Sequence, residues 1–428
     1  MSLGFSMRFN IGRIGRTKKA HYEQFFKNLP PPVPEWEPLC RFNETDFSVR
    51  LAPFTEAILG EWTNGELHIS AKTNGAGPGY HAYLIELMDT IDMQPSRVDD
   101  QTGYYKTRDF AELQNHMEAW LHATSHTVVN IMEQSEEVEN LTVSFPSNWM
   151  PVFSGDKVAC PLGYFEKSFF ESAKAGDLVG HAFFIWWNKE QDALFFRNAA
   201  FSLMLCEINW LEAFTDLEAQ MIGSALESLE KAYALDPGLD YPVAEWLELA
   251  QLARPAEQAE PSDDDAGDDL VQTIKSRFTN IGKPAWGYKR GMITSYINGW
   301  GFNHNGKMHL DVTEDGSVAF WQEGRGMRIT CANAGLEGGI KRSKEEIMAG
   351  ITKTQEGTLV PFPLKNPDII STILHKEEVA EGGEKIFSTM HMAIYNSEIL
   401  LLSFYYKDKA DRKWATDISA TLVRTDSG

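Results

Sequence analysis

"KTNGAGPGYHAYLIELMDTI", residues 72–91, carries the transition that decides the fold. Upstream of it, "FSVRLAP", "AILGEWTNG" and "ELHISAKTNG" read as strands punctuated by turns. Downstream, Tyr80, Leu84, Leu87, Met88 and Ile91 recur at helical spacing. Gly75, Gly77 and Gly79 lie at the junction, together with Pro78. Glycine admits a positive φ in a turn, and proline suits the first position of a helix. A helix N-terminus is an anion site in principle. The spacing here is G-x-G-P-G, however, without the GxGxxG or GxxxxGK[ST] pattern, and no lysine follows to reach a phosphate. The stretch therefore reads as a strand-to-helix turn. His81 falls in the first helical turn, where a neutral imidazole suits a base or a hydrogen-bond acceptor.

Working outward, strands and helices come in separate runs, which indicates an α+β fold. "RDFAELQNHMEAWLHATSHTVVNIM" is a second helix, with Asp109 and Glu112 as a capping box. "LTVSFP", "GHAFFIWWN" and "DALFFRN" read as further strands. "DLEAQMIGSALESLEKAYALDPGLDYPVAEWLELAQL" reads as a helical hairpin broken by Pro237, Gly238 and Pro242. It has no second copy, so a repeat array is not expected.

"ARPAEQAEPSDDDAGDD", residues 253–269, holds seven acids and no large apolar side chain. Such a composition cannot bury enough surface to offset ordering, so it reads as a disordered acidic linker. The expectation is two domains, each a mainly antiparallel sheet packed with helices. The first, residues 1–252, is acidic and ends in the helical hairpin. The second, smaller α+β domain is residues 270–428, with hairpins at "TEDGS" and "YNSE" and a final amphipathic helix in "RKWATDISATLVR".

The net charge of −22 is unevenly spread. Residues 1–252 carry 18 Lys/Arg against 36 Asp/Glu, whereas residues 270–428 carry 20 against 18. A field of this sign repels nucleic acid and anionic membranes and attracts a basic protein. "RFNIGRIGRTKKAH" runs against the trend, placing five basic residues before the first acid, Glu23. It lacks the apolar core of a secretory signal and reads as a solvated terminus or as an arm folding back onto the acidic domain. Cys40, Cys160, Cys206 and Cys331 are far apart and read as reduced thiols. No apolar run is long enough to span a bilayer. A soluble cytoplasmic protein is expected.

Candidate chemistry is sparse. "RVDDQTGYYKTRDF" brings Asp99, Asp100, Tyr104, Tyr105, Arg108 and Asp109 close in sequence. With His81, these are the expected binding residues, read as a loop that serves acid–base work, a cation or protein recognition. His122 and His126 have metal-ligand spacing but fall on the face opposite the apolar stripe, so no metal is expected. The aromatics of residues 287–309, among them Tyr288, Tyr296, Trp300 and Phe302, read as hairpin core. No nucleophile elbow or catalytic Cys signature occurs, and no cofactor is expected.

The composite expectation is a non-enzymatic binding protein whose acidic first domain docks a basic protein partner. A bacterial immunity protein or toxin neutraliser is one concrete form, an analogy that rests on charge alone. One alternative is an enzyme with a cleft between Gly75–Gly79, His81 and the Asp99–Asp109 loop. The other is an adaptor or structural component that docks through the second domain.

Overall fold

A computed structural model describes residues 3–12, 16–33, 36–63, 65–134, 138–145, 148–253, 266–313, 316–334, 342–354, 357–379 and 384–425. The chain divides into two units, Met1–Phe145 with Phe153–Gly287, and Pro146–Val152 with Tyr288–Gly428.

The first unit is built on a six-stranded sheet. Its strands are β1 (Gly4–Asn10), β2 (Leu39–Phe42), β3 (Asp46–Arg50), β4 (Ile58–Thr63), β5 (Glu66–Lys72) and β6 (Arg97–Asp100), in the order β2-β3-β4-β5-β1-β6. Every pairing is antiparallel. In each inner strand alternate residues are buried, so one face meets the core and the other meets solvent. Gly60 sits on the core face, where a β-carbon would strike the Phe47 ring paired across from it.

The solvated terminus is corrected at its first residues, Arg8–Asn10, which end strand β1. Phe5, Met7 and Phe9 are buried and Arg8 and Asn10 are exposed, so residues 4–10 form an inner strand. The period-two alternation outweighs the cluster of positive charge. A second correction concerns Asp99 and Asp100. They lie on strand β6 and not in a loop, so they project to opposite faces of the sheet.

Helices cover the core face. They are α1 (Arg16–Lys27), α2 (Pro78–Asp89), α3 (Tyr104–Thr107), α4 (Phe110–Gln134), α5 (Lys167–Ala175), α6 (Gly180–Phe183), α7 (Ala193–Ser202), α8 (Asp216–Leu235), α9 (Val243–Leu252) and α10 (Ala266–Arg277). Two small ribbons complete the unit: β7 (Val138–Glu139) with β9 (Ser154–Gly155), and β10 (Lys157–Cys160) with β11 (Gly163–Glu166). The expected strands in "GHAFFIWWN" and "DALFFRN" are instead α6 with a following loop, and α7. An unbroken apolar run suits a buried helix as well as a strand. Among the described residues of "LTVSFP", 141–145, there is one isolated bridge, Thr142 to Ala159, and no strand.

The helical hairpin is present as α8 and α9, with a capping box of Thr215 and Glu218 at its start. Residues 254–265 of the expected linker lie outside the described residues. Residues 266–269 are the first turn of α10. Val271 and Ile274 of this helix are buried in the first unit's core. Arg277 pairs with Glu230 at 2.9 Å and lies over the rings of Tyr233 and Trp246. The Glu245 carboxylate accepts the backbone N–H groups of Ala285 and Trp286 at 2.6 and 2.8 Å. The second unit therefore begins at Tyr288, where the sequence placed its start at residue 270.

The second unit holds β8 (Trp149–Pro151), β12 (Met292–Ile297), β13 (Trp300–Asn305) and β21 (Val423–Arg424), ordered β21-β13-β12-β8. A seven-stranded antiparallel sheet runs β14-β15-β16-β20-β19-β18-β17. These strands are β14 (His309–Val312), β15 (Val318–Gln322), β16 (Arg325–Asn333), β17 (Val360–Pro361), β18 (Ile370–Val379), β19 (Lys385–Tyr395) and β20 (Glu398–Tyr406). Helix α11 (Lys344–Thr354) packs Ile347 and Met348 against Met392 and Ile394. Helix α12 (Arg412–Ala420) adds Ala415 and Ile418 to the cluster around Leu402 and Phe404. Asn298 and Gly299 both have positive φ, as a two-residue hairpin turn requires. Trp300 and Phe302 are buried core, as their sequence context implied.

Two histidines are sealed inside this second unit. His304 and His391 are each 1% exposed, and burial pushes both pKa values down to about 4. Neither ring nitrogen of His391 has a hydrogen-bond partner. Its ring packs against Phe362, with centroids 5.0 Å apart.

Two outcomes follow. Cleavage at a protease site engineered between residues 254 and 265 should leave the two pieces bound, because α10 is part of the first unit's core. Separation of the pieces on native gel filtration would contradict this. Second, the two histidines are neutral when folded and protonate more readily when unfolded. Their contribution is complete above about pH 6.5 and lost as pH falls toward about 4. His391→Leu should flatten this loss by up to about 3 kcal/mol and leave stability at pH 7 equal or higher. Thermal melts from pH 4.5 to 7 with the same slope in both proteins would refute it.

Candidate functional site

The quoted turn works by close approach. Gly77 has φ 111°, and a β-carbon there would meet Phe184 and the Trp186 carbonyl oxygen. At Gly79 a β-carbon would fall 2.0 Å from the Trp186 indole. The Gly79 N–H donates to the Trp186 carbonyl and the Trp186 N–H donates to that of Ala76, both at 2.9 Å. Pro78, Gly79, Tyr80 and His81 are all buried. The helix N-terminus is thus filled by protein, which leaves no room for an anion.

This packing holds the His81 ring wholly inside the unit, at 0% exposure. Its Nδ1 lies 2.8 Å from the Thr73 hydroxyl. Its Nε2 lies 3.3 Å from Asp100 Oδ1 and 3.2 Å from the Thr102 hydroxyl. An N–H at Nε2 donates to the carboxylate, while Nδ1 pairs with the Thr73 hydroxyl, which can donate or accept. The Asp100 side chain is 4% exposed. It also accepts the Thr102 hydroxyl at 2.8 Å and the backbone N–H groups of Thr102 and Tyr105 at 2.9 and 2.7 Å. Burial alone would raise its pKa, but the bonds from His81, Tyr105 and Thr102 prevail and hold it well below the usual carboxylate range.

The structure brings His81 and Asp100 together and separates the rest. Tyr104 is buried at 1% exposure, and its hydroxyl donates to Glu86 at 3.3 Å. Tyr105 contributes its backbone N–H to Asp100. Arg108 is on the surface, paired with Asp89 at 2.8 Å, with its guanidinium over the Tyr105 ring. Asp109 accepts the Glu112 N–H at 3.1 Å and caps α4. Asp99 projects from the opposite face of the sheet to Asp100. His122 and His126 are exposed neighbours on α4, with ring centroids 4.7 Å apart. Among the described residues no three His, Cys, Asp or Glu side chains are grouped to hold a metal.

Two accessible recesses among the described residues lie elsewhere, on the solvent face of the six-stranded sheet. A hollow of about 770 Å³ runs between Arg41, Asp46, Glu61 and His68. A second, of about 290 Å³, adjoins it through Leu59 and Ser70 and reaches Asp99. Arg41, Glu61 and His68 were not among the sequence candidates. Their strands showed the alternation that sends them outward, but no motif marks a sheet face.

A second hydroxyl–histidine contact occurs in the other unit. Ser295 Oγ is 2.8 Å from His304 Nε2, and the His304 Nδ1–H donates to the Asn305 carbonyl at 2.8 Å. Ser295 is 5% exposed, so the pair is a satisfied core contact and not an open nucleophile.

No family model and no curated protein matches the chain. Among solved structures, a protein from Bacteroides thetaiotaomicron is similar at 16% identity over 33% of this chain and 47% of that one, with a TM-score of 0.23. This chain thus spans about half of that protein, and a likeness of this size carries no argument about fold or function.

The His81–Asp100 network makes a stability prediction. Asp100→Ala leaves buried donors without an acceptor and should cost about 3 kcal/mol in urea unfolding. A loss under about 1 kcal/mol would show that the pair is not a structural tie. Because the carboxyl is held low, its contribution is present at neutral pH. It is lost only as pH falls below the ordinary carboxylate range.

Proposed function

We propose that the protein is a non-enzymatic binding protein whose acidic first unit docks a basic protein partner. The observation that carries this reading is the location of the acids. Residues 20–252 hold 36 acids against 13 Lys/Arg. Among their described residues only Glu245 is a fully buried acid, and Asp100 joins it by its side chain. The other acidic side chains of the described residues lie at or near the surface, and the bases are too few to neutralise the whole set. Such a surface speeds encounter with a positively charged partner and suppresses acidic ones. A neutraliser of a basic toxin is one form such a protein takes.

The enzyme reading has less support, because it places chemistry at His81 and that ring is enclosed and bonded at both nitrogens. An adaptor role draws on one observation in the second unit. Leu310 and Val312 stand 49% and 62% exposed on the edge strand β14. No helix of the described residues is long and apolar enough to cross a membrane.

The test is capture by the immobilised full chain from a native lysate, followed by association kinetics with the captured protein. The expected partner has a high pI. Its on-rate should fall at least about tenfold as the Debye length shrinks from about 30 Å at 0.01 M salt to about 8 Å at 0.15 M. Capture of acidic proteins as readily as basic ones, or an on-rate indifferent to salt, would overturn the proposal.

A further inference from the structure

The solvent face of the six-stranded sheet sorts its charges in an unusual way. One row across the strands reads Asp46, Glu61, His68, Arg8, Arg97. Asp46 stands directly opposite Glu61, and Arg8 directly opposite Arg97. Like charges in facing positions destabilise a sheet. The next row reads Arg41, Ser48, Leu59, Ser70, Ser6, Asp99, with an Arg at one end and an Asp at the other. The side chains of Arg8, Arg41, Glu61, Arg97 and Asp99 make no ion pair or hydrogen bond among the described residues. Asp46 accepts from Asn43 and Thr45 only.

We infer that this face binds a second copy of the same chain, sheet against sheet, about a two-fold axis. The axis runs along the strands between β4 and β5, the middle of the six. Turning a copy about that axis reverses each row. Arg41 then meets Asp99 of the second copy, Asp46 meets Arg8, and Glu61 meets His68. Each contact occurs twice, as an isologous interface demands. Leu59, 54% exposed, lies beside the axis over Ser70 of the second copy. The two Leu59 side chains come together as an apolar centre within a charged rim, the usual anatomy of an interface. Strands of the two sheets run nearly aligned, within the roughly 30° that twist imposes.

The size of the face sets the strength. Six strands about 4.8 Å apart and some five residues deep offer about 500 Å² per copy. The total, about 1,000 Å², belongs with weak and transient associations. Long-range repulsion between two chains of charge −22 opposes it and is screened at 0.15 M salt, whereas the contact pairs lie well inside the Debye length. This inference does not depend on the basic-partner reading.

The experiment is sedimentation of the full chain at 0.15 M salt from about 1 μM to about 1 mM, a range that spans weak dissociation constants. A reversible monomer–dimer equilibrium is expected. Arg41→Glu should weaken it about tenfold by setting Glu against Asp99. Asp99→Arg should also weaken it about tenfold, although it reduces the net negative charge. The double variant should return to within about threefold of the parent. A general charge effect would instead make Asp99→Arg associate more tightly, and that result overturns the inference. So does a chain that stays monomeric throughout, or a dimer unmoved by either substitution. Circular dichroism of each variant establishes that the fold is retained.

Discussion

The imidazole of His81 and the carboxylate of Asp100, 3.3 Å apart in a sealed interior, fix the layout of the first unit. Three elements meet at this contact. Thr73 follows β5, His81 opens α2, and Asp100 ends β6. A buried polar group without a partner costs free energy, so the helix can dock only where all the partners are in place. The turn glycines serve the same end. Without a β-carbon at Gly77 and Gly79, the Phe184–Trp186 segment closes directly over the backbone and holds the ring at depth. What resembled a ligand loop in the sequence is the seam between helix and sheet.

Much of the fold was legible where local chemistry and burial agree. Strands β3 to β5 alternate cleanly between turn residues, and α8 and α9 are bounded by Pro237, Gly238 and Pro242. Strand β1 was hidden because its end overlaps the start of a run of positive charge, Arg8 to Lys19, which reads as a solvated terminus. Strand β6 was hidden because two adjacent acids read as a loop. In a strand they are the ordinary case of one side chain in and one out. The segments around Phe183 and Phe195 are apolar on every side, and such runs carry no period from which to choose. The start of the second unit was misplaced because α10 is short and follows an acidic tract. Only its packing on α8 and α9 shows where it belongs.

The candidate residues were legible in part. His81 and Asp100 were both singled out, but their contact was not, because it forms across the sheet between residues 19 apart in sequence. The rows on the open face were illegible for the same reason. Arg8, His68, Glu61 and Asp46 come from four strands and become neighbours only through register. His391, buried in the second unit, lies among Phe362, Ile373 and Leu402, where an apolar side chain would fit the surroundings better.

Strand β8 has a consequence for biosynthesis. Residues 149–151 pair with β12, whose first residue lies about 140 positions further on, while the intervening chain belongs to the other unit. At roughly 5–20 residues per second, a ribosome takes roughly 7–30 s to deliver the partner strand. Until then the nascent chain carries an unpaired strand containing Trp149, which is 5% exposed in the finished fold. Vectorial synthesis thus cannot complete the two units in sequence order. The second closes only by drawing back a piece that emerged long before it, and the interval is a window in which a chaperone or a neighbouring nascent chain meets that strand first.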